Sequence, residues 1–307
     1  MNNGFSVTFW GVRGSYPVPG KSTQLFGGNT TCIEIRAGKI TLIIDAGTGI
    51  IKLGEKIASE YFEKKSKTPL QLTILFTHLH HDHTQGLPFF TPLYLGQSSL
   101  YIYGPKNFGD ELQVVLERSM TPPNFPIDLF HSNSIKEIST IKENNIILLD
   151  EKEQKPKVLN KFFDKVKSEE SSISIKIMND YSHPADGVYV YRIDYRGKSI
   201  VFATDVEGYI YGNSRLINFA RGADLLIHDA QYTKEQYVNL PTPKQGFGHS
   251  IPEMAIEVAK KADVRALAIT HHDPVANDGQ LKKIEKNLQR RFSRLFFARE
   301  GLTYTIK

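Results

Sequence analysis

The feature that most constrains this chain is a cluster of histidines directly after an apolar segment. Residues 72–76 (LTILF) have the length and side chains of a buried strand, and residues 77–83 (THLHHDH) follow without a spacer. His78, His80, Asp82 and His83 are therefore four ligand-type side chains within six residues. Burying them without a partner would be costly, so the cluster indicates a metal site.

The order of these residues predicts two metal ions rather than one. His78 and His80 are two positions apart, and on extended backbone such side chains point the same way and can bind one cation. If the chain then turns into a helix, Asp82 and His83 face the other side. A second cation there would lie about 3.5 to 4 Å from the first, as in two-metal hydrolases.

Apolar runs of strand length alternate with helical periodicity along the chain, which predicts an α/β fold. Strands are predicted at residues 31–36, 40–44, 72–76, 100–103, 188–195, 199–203, 224–227, 266–269, 295–297 and 302–306, and helices at about 50–61, 112–116 and 281–288. Residues about 133–172 are less periodic and richer in Lys, Glu, Asn and Ser. We interpret them as an insertion between halves of about 1–132 and 173–307 of a single domain, residues 1–307.

Composition narrows the chemistry of the site. Cys32 is the one cysteine, so a site with several thiolates is excluded and any metal must be bound by His and carboxylate. The net charge of +5 favours an anionic partner. Because no segment approaches the roughly 20 apolar residues that cross a bilayer and no leader is visible, we expect no membrane partner and a cytoplasmic location.

The pattern His78-x-His80-x-Asp82-His83 resembles the signature of the metallo-β-lactamase superfamily, and residues 45–49 (DAGTG), 181–184 (YSHP), 203–205 (ATD) and 269–271 (ITH) are similar to its other elements. The resemblance implies a four-layer αββα sandwich. It also implies Zn²⁺ or Mn²⁺ as cofactors, with the first ion bound by His78, His80 and His183, the second by Asp82, His83 and His271, and with Asp205 bridging. The adjacent His272 remains an alternative to His271.

A second motif, residues 248–253 (GHSIPE), precedes an amphipathic helical pattern. Ser250 and Glu253 match a capping box, which predicts a helix beginning at Ile251. His249 would then lie next to a helix N-terminus, which suits a phosphate. We therefore predict two catalytic residues, Asp82 to orient the attacking water and His249 to steady the anionic transition state or protonate the leaving oxygen.

The same motif is similar to the His-Ser-Thr element of the ribonuclease Z branch, with Ile251 in place of Thr. This branch includes cyclic-nucleotide phosphodiesterases, so the resemblance implies phosphodiester hydrolysis and, since related enzymes are often dimers, a possible homodimer. Asp205 lies only 22 positions after His183, an interval too short for the tRNA-binding arm of ribonuclease Z. We therefore expect tRNA to be an unlikely partner and a small phosphodiester, above all a cyclic nucleotide, to be the substrate.

Three other functions remain open on the sequence. The same ligands serve thioester and lactam hydrolases, nucleases that act on RNA 3′ ends, and non-catalytic proteins that bind a nucleotide through a metal. Two further roles also stay open. Arg13 could contact a phosphate or form a structural ion pair, and Phe89, Phe90 and Tyr94 could stack on a base or pack in the core.

Overall fold

Two mixed β-sheets lie face to face and helices cover their outer sides. The computed structural model describes residues 4–66, 68–166, 171–209 and 211–307. One apolar cluster joins residues of both sheets, from Phe5 and Ile35 in the first to Ile175 and Phe202 in the second. Two further clusters attach helices to the outer face of each sheet. The layers are thus helix, sheet, sheet and helix, and the predicted α/β four-layer sandwich is confirmed.

The first sheet has the strand order β15-β1-β2-β3-β4-β5-β6. Its strands are β1 (Phe5–Gly11), β2 (Cys32–Ala37), β3 (Ile40–Ile44), β4 (Leu70–Leu75), β5 (Ser98–Gly104), β6 (Ile135–Thr140) and β15 (Thr303–Thr305). From β3 to β6 neighbouring strands pair in parallel. Parallel pairs need crossover connections, and the helices α1 (Gly49–Glu63) and α3 (Leu112–Ser119) provide two of them.

The second sheet has the order β14-β13-β12-β11-β10-β9-β7-β8. Its strands are β7 (Asn145–Asp150), β8 (Lys157–Asn160), β9 (Ser172–Asp180), β10 (Val188–Tyr195), β11 (Lys198–Ala203), β12 (Leu225–Asp229), β13 (Leu267–Thr270) and β14 (Leu295–Phe297). Strands β11 to β14 pair in parallel, whereas β9, β10 and β11 form an antiparallel meander.

The helices are α1 (Gly49–Glu63), α2 (His81–Thr84), α3 (Leu112–Ser119), α4 (Ser214–Phe219), α5 (Lys234–Val238), α6 (Pro252–Lys261) and α7 (Asp278–Leu288). In the four longest, α1, α3, α6 and α7, apolar residues recur at spacings of three and four. Leu53 and Ile57 of α1 pack on the first sheet, and Ala255 and Val258 of α6 pack on the second. In the described ranges, none of the helices has both the length and the apolarity to cross a bilayer.

The segment of about 133–172 that we interpret as an insertion carries strands of both sheets. Strand β6 pairs with β5 at the edge of the first sheet, and β7 pairs with β9 in the second. The chain therefore passes from one sheet to the other here. Its low periodicity has a physical cause, because β6 is an edge strand whose side chains are partly solvated. Residues 167–170 of this segment lie outside the described ranges.

Candidate metal centre

Every predicted ligand lies in a segment that follows the carboxyl end of a strand, and two of them, Asp82 and His83, lie in the short helix α2. The segment 77–83 follows β4, His183 follows β9, Asp205 follows β11, and His271 follows β13. Since β3 and β4 run in parallel, as do β11, β12 and β13, these loops emerge at one edge of the sandwich, where its two sheets meet. The fold thus brings together side chains that are up to 193 positions apart.

The first cluster consists of His78, His80 and His183. The Nε2 atom of His183 lies 3.1 Å from Nδ1 of His80, and the ring centroid of His78 lies 4.5 Å from that of His80. The Nε2 atom of His78 is buried and has no hydrogen-bond partner in the described part of the chain. A buried imidazole nitrogen without a partner, facing two others, fits a cation-binding site.

The second cluster consists of Asp82, His83, Asp205 and His271. The Nε2 atom of His83 lies 3.3 Å from Oδ2 of Asp82, from Oδ2 of Asp205 and from Nε2 of His271. Four ligands at 2.0 to 2.1 Å from a tetrahedral zinc would be about 3.4 Å from one another. These side chains therefore already have the spacing of a metal coordination shell.

Asp205 stands between the two clusters. Its Oδ1 atom lies 3.8 Å from Nε2 of His78, 4.0 Å from Nε2 of His183 and 3.3 Å from Nε2 of His271. Its Oδ2 atom faces His83 and accepts a 2.6 Å hydrogen bond from Thr204 Oγ1. One carboxylate is thus placed to bridge two ions. Both Asp205 and His271 have positive φ angles (55° and 57°), a strained backbone that occurs often at functional sites.

Hydrogen bonds outside the clusters fix which ring nitrogen faces inward. Asp45 Oδ2 accepts from Nδ1 of His83 at 2.8 Å, and the carbonyl of Gly248 accepts from Nδ1 of His183 at 3.1 Å. Because Nδ1 carries the proton in both rings, Nε2 keeps its lone pair for a metal. Asp45 also accepts from Thr77, so it holds the start of the histidine segment as well.

The charges of the site suit a cation. Burial lowers the pKa of His78, His80 and His183, which favours the neutral imidazole that binds metals. Burial opposes ionisation of Asp82 and Asp205, but His83 and His271 nevertheless hold the pKa of both carboxyls below its usual range. The ion-pair partners of these two buried carboxylates are histidines, which are neutral when they bind a metal. A divalent ion would then supply the positive charge that balances the carboxylates.

His249, the predicted acid, lies at the edge of the two clusters. Its Nδ1 atom is 2.7 Å from Oδ2 of Asp229 and 3.8 Å from Oδ1 of Asp205. Although burial opposes it, Asp229 raises the pKa of His249 to about 9. Asp229 was not among the site residues predicted from the sequence. Its position could have indicated a role, because Asp229 is the last residue of β12, at the edge where the other ligand-bearing segments emerge.

The start of α6 differs from the capping box expected from the sequence. The helix begins at Pro252, and Ile251 at the N-cap makes no side-chain cap. The Oγ atom of Ser250 instead donates to the carbonyl of Val206, and its N–H donates to Asp229 Oδ1 at 2.9 Å. Proline suits the first helical position because it needs no hydrogen-bond acceptor there. The anion held beside this helix start is therefore a carboxylate of the chain itself.

The structure also places the histidines outside the predicted set. His272 points away from the clusters, donates to the carbonyl of Ala298 at 2.9 Å and stacks on Phe297, whereas its neighbour His271 faces them. His228 is buried against the main-chain carbonyl of Asp229. His81 and His131 are exposed.

Arg13 is too deeply buried to face a ligand at the centre, and it forms no ion pair within the described ranges. It is completely buried, and its Nε and Nη1 atoms donate to the carbonyls of Gly27, Asp273 and Ala276 at 2.7 to 2.8 Å. Two residues further along the same loop, the N–H of Ser15 donates to Oδ2 of the predicted ligand Asp82 at 2.8 Å. Arg13 thus ties the first loop of the chain to the loop that follows His271.

Comparison with known proteins agrees with this geometry. Residues 41–272 match the family described as "Beta-lactamase superfamily domain". Ribonuclease Z of Picrophilus torridus is 25% identical over an alignment that covers 100% of this chain and 97% of the relative. The short form of human tRNase Z has a TM-score of 0.61 at 22% identity and covers 98% of this chain and 99% of its own. Zn²⁺-bound PqqB of Methylobacterium extorquens has a TM-score of 0.62 at 15% identity, with 97% and 99% covered.

The expectation that tRNA is an unlikely partner is wrong. Two relatives named ribonuclease Z align with 100% and 87% of this chain, and the first alignment spans the short interval from His183 to Asp205 on which that expectation depended. The hairpin of β10 and β11 fills this interval. It leaves no space for an arm there, but it does not alter the hydrolytic site, so its length does not argue against an RNA substrate. The family match and the fold together make this chain a member of the beta-lactamase superfamily and a hydrolase of the metallo-β-lactamase fold.

Proposed function

We propose that this protein is a phosphodiesterase that acts on nucleotides with two divalent ions, Zn²⁺ or Mn²⁺. The ligands in this proposal are His78, His80 and His183 for one ion, Asp82, His83 and His271 for the other, and Asp205 for both. The observation that carries the proposal is the pairing of His249 with Asp229 beside these clusters. A protonated histidine next to a metal centre suits a reaction in which an alkoxide-like oxygen leaves.

Each side chain has a distinct role in this proposal. When bound, the ions would supply Lewis-acid stabilisation of the phosphoryl oxygens and make water more acidic. Asp82, whose Oδ2 atom is held by the N–H of Ser15, orients the attacking water. The conformation of Asp82 is therefore set before substrate binds.

His249 acts on the leaving group, on the side of the phosphorus opposite the attacking water. Asp229 occupies Nδ1, so the proton available for transfer is the one on Nε2. His249 also lines the mouth of the centre together with Ser15, Leu79, His80, Asp82 and Asp205. With the pKa of His249 at about 9, the ring is protonated at neutral pH and can donate to the leaving oxygen.

Two substrates fit this chemistry. The mouth has a volume of about 450 Å³, within the range of small-ligand sites, which suits a cyclic nucleotide. The similarity to proteins named ribonuclease Z, over 100% and 87% of this chain, favours the 3′ end of an RNA. Both substrates contain a nucleotidyl phosphodiester, and neither requires a different arrangement of residues.

The proposal is tested with metal-loaded protein and a substrate panel. Cyclic mononucleotides, cyclic dinucleotides, a tRNA precursor with a 3′ trailer and bis-p-nitrophenyl phosphate are compared with nitrocefin and an acylglutathione. We expect turnover of phosphodiesters. Activity confined to the lactam or thioester would overturn the proposal, and tight nucleotide retention without product would support a binding protein instead.

The role of His249 is tested separately. His249→Ala is expected to slow phosphodiester turnover about a hundredfold while metal content, measured by mass spectrometry, stays at the wild-type value. His131→Ala is the matched control, because His131 is exposed and lies outside the centre. Equal turnover of the two variants would remove His249 from the mechanism.

A further inference from the structure

A second cavity opens beside the metal centre. It has a volume of about 80 Å³ and its walls include Leu79, His80, Lys106, Phe108, Asn179 and Asp186; we call it the side cavity. Leu79 and His80 also line the mouth of the metal centre. A molecule whose phosphoryl group lies over the metal centre therefore has the side cavity directly next to it.

Phe108 at the rim of the side cavity is held in an unusual state. Its φ angle is +46°, in the left-handed region that disfavours a bulky side chain, yet the residue is 76% exposed and so gains little from packing. The Asp186 carboxylate fixes the conformation by accepting the N–H of Phe108 at 2.5 Å. An aromatic ring kept in solvent at a conformational cost is a feature that function, rather than folding, explains.

Two polar side chains of the side cavity are already covered or paired. The Oδ1 atom of Asn179 is buried, and a Cβ at Gly187 would lie only 3.0 Å from it, so Gly187 covers this atom. Lys106 is paired with Glu111 at 3.0 Å. The exposed ring of Phe108 remains open to a ligand at the rim of the cavity.

We propose that Phe108 forms a nucleobase subsite at the rim of the side cavity, where the base of the substrate stacks on its ring. A nucleobase has the flat aromatic face that stacking on an exposed phenyl ring requires. This inference rests on the proposed function, since the phosphodiester at the metal centre brings the base to the cavity. Two of the aromatic residues for which stacking or core packing was left open from the sequence do not line the side cavity: Phe90 is fully buried, and Phe89 packs on Phe125.

The experiment compares two esters with the same leaving group in metal-loaded protein. One is a nucleoside 5′-(p-nitrophenyl phosphate) and the other is methyl p-nitrophenyl phosphate, which has no base. We measure the ratio of kcat/KM for the nucleoside ester to kcat/KM for the methyl ester. Stacking of one base on an aromatic side chain predicts that Phe108→Ala lowers this ratio about tenfold. Phe163→Ala, which removes a phenyl ring that is 86% exposed and does not line the cavity, keeps the wild-type ratio.

Two more variants separate a binding role from a structural one. Phe108→Gly relieves the positive φ angle, so it is expected to unfold at a temperature no lower than the wild type while the ratio falls as in Phe108→Ala. Phe108→Tyr keeps an aromatic ring at this position, so it is expected to keep the wild-type ratio of the two kcat/KM values. A wild-type ratio in Phe108→Ala, or a fall in the unfolding temperature of Phe108→Gly that accompanies its loss of selectivity, would overturn the inference.

Failure of the proposed phosphodiesterase function can be distinguished from failure of the base subsite. If the wild-type protein hydrolyses neither ester, the function is wrong, and calorimetric titration with nucleoside 5′-monophosphates then tests the subsite without catalysis. At least fivefold weaker binding by Phe108→Ala than by Phe163→Ala supports the subsite, at the lower end of the stacking energies measured for single bases. A smaller difference between the two variants, or no measurable binding by the wild type, overturns it.

Discussion

Replacement of Arg13 by methionine tests how the chain holds its metal centre. Methionine retains an unbranched apolar side chain but donates no hydrogen bonds, so the carbonyls of Gly27 and Ala276 lose their donors, whereas that of Asp273 still accepts the N–H of Ala276. Each orphaned buried carbonyl costs about 1 to 3 kcal/mol, which gives a loss of about 4 kcal/mol in the free energy of unfolding.

This loss converts into a measurable shift in melting temperature. At about 2.1 cal/mol/K per residue, the unfolding entropy of this chain is roughly 0.6 kcal/mol/K, so Arg13→Met should lower Tm by about 6 °C. Arg13→Lys keeps the charge but its single nitrogen cannot reach all three carbonyls, so we expect about half that shift. Arg291→Met is the control, because Arg291 is half exposed in a surface ion pair and its loss should change stability by less than about 0.5 kcal/mol.

Metal affinity provides the second measurement for Arg13. Asp273 and Ala276 follow His271, and the N–H of Ser15 fixes Asp82, so loosening this loop should weaken zinc binding about 10- to 100-fold, as loss of outer-shell support does elsewhere. Competition with a chromophoric chelator measures this affinity. Wild-type Tm in Arg13→Met would refute the argument from buried carbonyls, and wild-type zinc affinity would refute the positioning role.

Three other changes test the surroundings of the centre. Gly248→Ala would place a Cβ 2.2 Å from Nδ1 of His183 at a φ of +83°, so chelator competition should find one weakened zinc site. Asp45→Asn should weaken zinc binding about 10- to 100-fold, because His83 loses its carboxylate acceptor; unchanged affinity would contradict the orienting role. Burial lowers the pKa of His272 to about 3, so this residue's contribution to stability is present above about pH 6.5 and is lost by about 1.4 kcal/mol per pH unit as the pH falls towards 3. Urea titrations at several pH values give the free energy of unfolding of the metal-free proteins as a function of pH. This free energy should change less steeply with pH in His272→Gln than in the wild type. An equal dependence on pH in the two proteins would argue against the buried neutral ring.

The local pattern of the chain was sufficient to predict most strands and the histidine segment. Apolar runs such as 188–195 and 295–297 became strands with the predicted bounds, because a segment with that pattern can bury its side chains only in the interior of a sheet. The start of α6 was not predictable in the same way. Serine is a residue type that often caps a helix. In the folded chain, however, the hydroxyl of Ser250 donates to Val206 and its N–H donates to Asp229, and both partners come from distant segments.

By itself, the sequence determined the residue types that can bind a metal and their order after β4, because a strand followed by a tight turn fixes local directions of side chains. Only the tertiary structure decided that His271 and not His272 faces the centre, that Asp229 supports His249, and that Arg13 is a buried clamp. These outcomes depend on which strand ends become neighbours. That adjacency is created by the packing of two whole sheets, a long-range property that no single segment of the sequence contains.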